Sequence, residues 1–233
     1  MSEWTGSVNI EDKGPNRIIR LSNGEKNLLN PGVMSATVDA LEVARADESV
    51  LGVIITGEGN VFCGGLDVPA IQAGADPVEF ARHLVALLKM FPAFPKPIVS
   101  AVNGDAVASG ASIVASSDFA SCSSSARVGT YEVSVNVWPM IAQVPIIKAI
   151  GAKRAMENIG AGEPFTADRA LQVGLVNQVV APGDELSAAT TWLDKAHRGQ
   201  GVYAFGRPSA YEFDAMAVDQ ALDASLEKFV SQF

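Results

Sequence analysis

Short apolar runs alternate with stretches of helical periodicity along most of this chain. Arg17 to Leu21 reads as a strand. Val50-Leu51-Gly52-Val53-Ile54-Ile55 reads as a strand buried on both faces, because it lacks the polar alternation of a half-exposed one. Between them, Asn30-Pro31 has the form of an N-cap followed by proline at the first helical position, and Met34, Val38, Leu41 and Arg45 continue at helical spacing. Pro77 to Met90 predicts a further helix with Ala81, Leu84, Val85 and Leu88 on one face, ended by Pro92, Pro95 and Pro97. Ile98 to Val102 is the next strand, followed by a helix of small residues from about Ser109 to Ser116 and a strand near Asp118 to Cys122. Ile141 to Ile150 and Ala152 to Ile159 read as helices, Thr166 as the N-cap of a helix ending at Gly174, and Leu175 to Val180 as a strand. From Pro182 the pattern is helical to the end, broken around Arg198 to Gly201 and at Pro208. This alternation predicts an α/β core over residues 1–181, with a helical C-terminal region, residues 182–233, for packing or oligomerisation.

Composition narrows the class. With 233 residues, 48% hydrophobic and 18% charged, the chain can bury a sizeable core and is not disordered. No apolar run reaches the roughly 18 residues that span a bilayer. Met1 to Asn9 is polar, without the basic-then-apolar order of a secretory leader, so a cytoplasmic location is expected. A formal net charge of −9 argues against nucleic acid or an anionic membrane as partner. Any anionic ligand must then find local lysines or arginines. Cys63, Cys122, His83 and His197 form no ligand pattern, so no metal is expected.

Two runs carry the chemistry. Phe62-Cys63-Gly64-Gly65-Leu66-Asp67 and Asn103-Gly104-Asp105-Ala106-Val107-Ala108-Ser109-Gly110 each follow an apolar β-type run. Small residues at a strand end let backbone N–H groups face a ligand with no Cβ in the way. Two such amides aimed at one carbonyl oxygen make an oxyanion hole. Phosphate-loop, nucleophile-elbow and zinc-helix patterns are absent, and Gly57-Glu58-Gly59 lacks the third glycine of a dinucleotide site. Cys63 and Ser112 have no evident histidine partner that would make either a nucleophile, so packing or substrate contact is expected of each.

In order along the chain, several segments resemble the crotonase (enoyl-CoA hydratase/isomerase) superfamily over about residues 15–181. They are Gly24-Glu25-Lys26-Asn27-Leu28-Leu29-Asn30, Val53 to Gly59, Val61 to Asp67, Pro95 to Gly104, Asp118, Gly162-Glu163 before Thr166, and Gly174-Leu175-Val176-Asn177. The resemblance implies a crotonase-like spiral of ββα repeats with a short helical C-terminal appendage, assembled as a homotrimer or a dimer of trimers. It implies an acyl-CoA thioester as substrate, with coenzyme A part of that substrate and no separate cofactor. It assigns the oxyanion amides to Leu66 and Ser109, framed by Gly65, Asp67 and Gly110. From its position, Asp67 is also expected either to cap the next helix or to hold the turn of the motif. Lys26 matches the segment near the CoA phosphates, and Trp138 and Met140 are candidates for the acyl pocket or the core.

Family hydratases carry two glutamates. Here the first position is Ser112 and the second is Glu132, in Val128-Gly129-Thr130-Tyr131-Glu132. Position 140, where another subgroup places a second acid, is Met140. A lone carboxylate suits the migration of a double bond from C3–C4 to C2–C3, and the pattern resembles Δ3-Δ2-enoyl-CoA isomerases. Their first motif likewise ends in Gly-Leu-Asp before an apolar residue, as in Gly65-Leu66-Asp67-Val68. Followed by Val133, Val135, Val137 and Trp138, Glu132 is expected to have a raised pKa. Two alternatives stand beside isomerisation: hydration, with Ser112 holding a water in place of the missing acid, and CoA-ester binding without catalysis.

Overall fold

The computed structural model describes residues 4–232. β1 (Ser7–Lys13) and β2 (Asn16–Ser22) form an antiparallel hairpin that leads to α1 (Pro31–Ala46). A repeated step follows: a long strand, a short strand, then helix. β3 (Gly52–Gly57) is followed by β4 (Val61–Cys63), α2 (Val68–Gln72) and α3 (Pro77–Ala93). β5 (Ile98–Val102) is followed by β6 (Asp105–Val107) and α4 (Ser109–Ser116). β7 (Phe119–Ser123) is followed by β8 (Arg127–Gly129), a 3₁₀ turn at Glu132–Val135, α5 (Gln143–Ile150) and α6 (Ala152–Ile159). The chain then runs through β9 (Phe165–Thr166), α7 (Ala167–Val173), β10 (Gln178–Val180), α8 (Glu185–Ala196), α9 (Gln200–Asp214) and α10 (Val218–Val230). The long strands make one sheet in the order β1-β2-β3-β5-β7-β10, and the short strands a second in the order β4-β6-β8-β9. Both sheets advance by one strand per repeat, which is the spiral of ββα units that the resemblance implies.

Local sequence explains the element ends. Asn30 Oδ1 accepts from Val33 N at 3.0 Å ahead of Pro31, and Asp76 Oδ1 accepts from Val78 N at 2.9 Å ahead of Pro77. α3 buries Phe80, Leu84, Leu87 and Phe91 rather than the expected stripe through Ala81 and Val85, and it continues through Pro92 to Ala93. The large aromatics set the buried face; Pro92 falls in the last turn, with one helical residue left after it, and a remote side chain takes up the carbonyls of Phe91 and Phe94, as described below. β4, β6, β8 and β9 are two or three residues long, too short for any periodicity to betray them.

The larger sheet is covered on both faces. Ile19, Val53, Ile55 and Ile98 join the main core with Leu41, Phe80 and Leu84, while Ile18, Ile54, Val99 and Ala101 pack against Ala189 and Leu193 of α8. Of the helical region after residue 181, α8 thus closes the sheet, whereas α10 buries no residue and leaves Leu222 and Leu226 exposed. Among the described residues no helix is long and apolar enough to cross a membrane.

α9 is held by a buried polar cluster. Arg207 Nε donates to Asp118 Oδ1 and Oδ2 at 3.0 and 2.8 Å, and its Nη1 donates to the carbonyls of Phe91 and Phe94, each at 2.6 Å. Tyr211 O–H donates to Asp118 Oδ1 at 2.6 Å, and Ile98 N to Asp118 Oδ2 at 2.8 Å. α9 runs on through Pro208, where a break was expected, with Arg207 before it and Tyr211 after it anchored to Asp118. One guanidinium therefore satisfies the end of α3 and the carboxylate at the start of β7. Replacing Arg207 by Met would strip the largely buried Asp118 charge of its cation, leaving Tyr211 O–H and Ile98 N–H to hold it, and should cost about 3–5 kcal/mol. The midpoint of urea unfolding reads this directly; a loss below about 1 kcal/mol, the level of a surface pair, would show that α9 is anchored some other way.

Candidate active site

β4, β6 and β8 are parallel neighbours, with Cys63 opposite Ala106 and Val107 opposite Gly129. Adjacent strands lie about 4.8 Å apart, so the carboxyl ends of these three share one edge. Counted from the shared rung Cys63–Ala106–Val128, Leu66 stands three positions on, Ser109 three and Glu132 four. Short-strand pairing thus collects at one edge residues that lie far apart in the chain.

At that edge two amides are left open. Leu29 N donates to Gly65 O at 2.8 Å and Asp67 N to Leu29 O at 2.9 Å, a parallel bridge that holds Leu66 between them without using its own N–H. Neither Leu66 N–H nor Ser109 N–H donates to any group among the described residues. Ser109 also opens α4, where the helix dipole favours negative charge. Gly65, at φ +93°, allows the close approach: a Cβ there would fall 2.6 Å from Ala108 Cβ and 3.5 Å from Ser109 N. A Cβ on Gly110 would lie 2.4 Å from Cys63 O. Ala108 takes φ 53° and ψ −123°, a conformation that favours glycine, and so turns the chain from β6 into α4.

Glu132 completes the edge. Its side chain is half-buried, and Oε2 accepts from Tyr131 N at 2.9 Å. Burial lifts its pKa above the ordinary glutamate value, while backbone N–H groups of Glu132 and Tyr131 pull partly the other way. Burial, and then the nearby Glu132 charge, also raise the Tyr131 phenol. Two unpaired amides and one carboxylate of raised pKa can polarise a carbonyl and move a proton beside it.

The sequence profile of the enoyl-CoA hydratase/isomerase family matches residues 17–205. The chain belongs to the enoyl-CoA hydratase/isomerase family. It is 33% identical over 186 residues to a Thermus thermophilus protein named "Putative enoyl-CoA hydratase", covering 76% of this chain and 73% of that one. It is 32% identical over 226 residues to the mitochondrial enoyl-CoA hydratase domain-containing protein 3 of Xenopus laevis, covering 94% and 76%. The crystal structure of an enoyl-CoA hydratase from Polaromonas sp. JS666 superposes with a TM-score of 0.86 at 28% identity, over 97% of this chain and 91% of that one.

The other expected site residues of this family member are placed as follows. Lys26 is exposed beside the first amide loop, its carbonyl accepting from Gly64 N at 2.8 Å. Asp67 caps α2, accepting from Ala70 N at 3.1 Å, so its carboxylate is engaged within the protein rather than open to a substrate. Ser112, expected as a substrate contact, is fully buried and donates its hydroxyl proton to Ala142 O at 2.9 Å, tying α4 to the segment before α5. Trp138 is exposed and donates to Gln143 Oε1 at 3.0 Å, and Met140 is 67% exposed, so neither belongs to the core. Met140 lies on an apolar groove of about 530 Å³, with Val85, Leu88, Ala115, Ile141 and Val144, that includes neither open amide nor Glu132. This groove adjoins the far end of α4, about 9 Å along the helix from Ser109. Burial pushes the Cys63 thiol up to about 12, which keeps it protonated and removes it as a nucleophile. Among the described residues no three metal-ligating side chains cluster.

Braces of these loops went unread in the sequence. Asn27 Nδ2 donates to Glu58 O and Val61 O at 2.9 and 2.7 Å, and Asn103 Oδ1 accepts from Gly57 N at 3.0 Å. Both asparagines stand inside the motif runs, and that position was the available signal. Ala108→Gly should relieve strain of about 1–3 kcal/mol at a backbone-entropy cost of about 0.5–1 kcal/mol, a net gain near 1 kcal/mol. Denaturant unfolding checks it; a destabilised variant would show that Ala108 carries no strain.

Proposed function

We propose that this protein is a Δ3-Δ2-enoyl-CoA isomerase in which Glu132 shuttles one proton. The supporting observation is a single half-buried carboxylate of raised pKa on the strand edge that holds two unpartnered amides. The Glu132 carboxylate takes the proton from C2 of the 3-enoyl thioester, and the C–H electron pair moves toward the carbonyl. The dienolate oxygen accepts from Leu66 N–H and Ser109 N–H, each contributing about 2.7–4 kcal/mol to the transition state. Protonated Glu132 then delivers its proton to C4, the double bond settles at C2–C3, and the carboxylate is regenerated. Lys26, exposed at the first amide loop, faces the CoA phosphates as a point charge in this reading. The exposed apolar side of α10 would serve subunit contact in a homotrimer or a dimer of trimers.

Hydration is the second reading, favoured by the hydratase names of the relatives described above. It needs a second group to activate or protonate, and the Ser112 hydroxyl is already committed to Ala142. Assays with a 3-enoyl-CoA and, separately, a 2-enoyl-CoA divide the readings. Migration with little hydration is expected; fast hydration would favour the second reading, and thioester binding without turnover would leave a non-catalytic CoA-ester binder. Glu132→Gln should lower isomerisation about 10²–10⁴-fold while thioester binding persists. Because the base must be ionised, kcat should fall as pH drops through an apparent pKa above about 4.3, the unperturbed glutamate value. Full turnover in Glu132→Gln would end this assignment.

A further inference from the structure

Asn158 on α6 is fully buried, and its amide is saturated. Oδ1 accepts from Thr130 N at 2.8 Å and from Thr130 Oγ1 at 3.1 Å. Nδ2 donates to Thr130 O at 2.7 Å and to Glu163 O at 2.8 Å. Thr130 O and Tyr131 N–H belong to one peptide unit, and that N–H donates to Glu132 Oε2 at 2.9 Å. A peptide unit is planar and rigid, so its two ends move together. Asn158 Nδ2–H, the Thr130–Tyr131 peptide and the Glu132 carboxylate therefore form one hydrogen-bonded chain, in which donation at the carbonyl strengthens the N–H at the other end.

A leucine of similar size would fill this space but leave Thr130 N and Thr130 O buried without these partners. The fold instead makes room for the amide: Gly129, at φ +148°, has Asn158 Oδ1 2.7 Å from where a Cβ would stand. The bonds of Asn158 converge on Thr130, two residues ahead of the carboxylate, and on the loop at Glu163, whose neighbour Gly162 abuts Ser134 N.

We propose that Asn158 is a positioning residue for Glu132, fixing the Thr130–Tyr131 peptide plane and through it the direction of the carboxylate. This rests on the reading of Glu132 as the proton shuttle. It adds a residue on a separate helix that never meets the substrate. Donation through the peptide also favours the charged carboxylate, against the burial that disfavours it. The titratable and charged groups on the segments around Glu132 are Tyr131 beside it, Glu163 in the adjoining loop, and on α6 Lys153, Arg154 and Glu157, the last paired with Arg169.

Asn158→Asp keeps the shape and the acceptor toward Thr130 N but sets an oxygen against the carbonyls of Thr130 and Glu163. With a 3-enoyl-CoA substrate, kcat per folded molecule should fall about 10–100-fold while KM stays within about threefold. The acid limb of the kcat profile should move to higher pH, because the carboxylate loses support for its charged form. Asn158→Ser, which removes the amide without adding charge, should move both in the same direction and serves if the aspartate variant does not fold. Lowered thermal stability with wild-type kcat and an unmoved acid limb would overturn the proposal and leave Asn158 a packing residue. If Glu132→Gln is itself fully active, the shuttle reading fails first. If Glu132→Gln is dead while both Asn158 variants behave as wild type, only the positioning role fails. Should the protein bind thioesters without turning them over, NMR titration of the Glu132 carboxyl carbon decides: a raised midpoint in Asn158→Ser supports the chain, and an unchanged one overturns it.

Discussion

The site depends on the parallel pairing of three very short strands. β4, β6 and β8 bury Phe62, Cys63, Ala106 and Val128 in the main core, and their hydrogen bonds align three chain exits at a common edge. That alignment demands close backbone approach, and the glycines at 65, 104 and 110 permit it. A Cβ on Gly104 would overlap Asn60 O, and one on Gly110 would press into Cys63 O. Side-chain chemistry at the two amides is secondary, since the backbone itself supplies the donors.

Polar side chains in the interior hold this arrangement where the sheets cannot. Asn27 and Asn103 brace the turn between β3 and β4, and Asn158 braces the exit from β8. Each replaces a backbone partner in a loop that has left its strand, which is how a buried irregular segment meets the requirement for satisfied N–H and C=O groups. Arg207 does the same at larger scale, joining α3, α9 and the start of β7 through one planar group.

Much of this was legible in the sequence, for identifiable reasons. The buried strands β3 and β5 are continuous apolar runs, and Asn30-Pro31, Thr166 and Gly174 are capping signals with a local cause. The two small-residue runs were visible because close approach restricts residue type. The second sheet was not legible, since two or three residues carry no period. The face of α3 was misjudged by one position, because Phe80 and Phe91 outweigh the alanine and valine that also fit helical spacing. Ser112 looked available for substrate, but its only proton goes to Ala142, a contact across 30 residues of sequence that local pattern cannot reveal. Asn158 was silent for the same reason: its meaning lies in the peptide it grips.

Counting from paired residues divides the chain into parts that tolerate change differently. Between Cys63 and Leu66, or between Gly129 and Glu132, deleting a single residue would rotate an amide or the carboxylate away from the shared edge. The stretch from Gln72 to Pro77, by contrast, joins two helices on the outside and enters no strand register. Evolution can therefore lengthen or reshape that outer connection while the edge formed by the three strand exits keeps its dimensions.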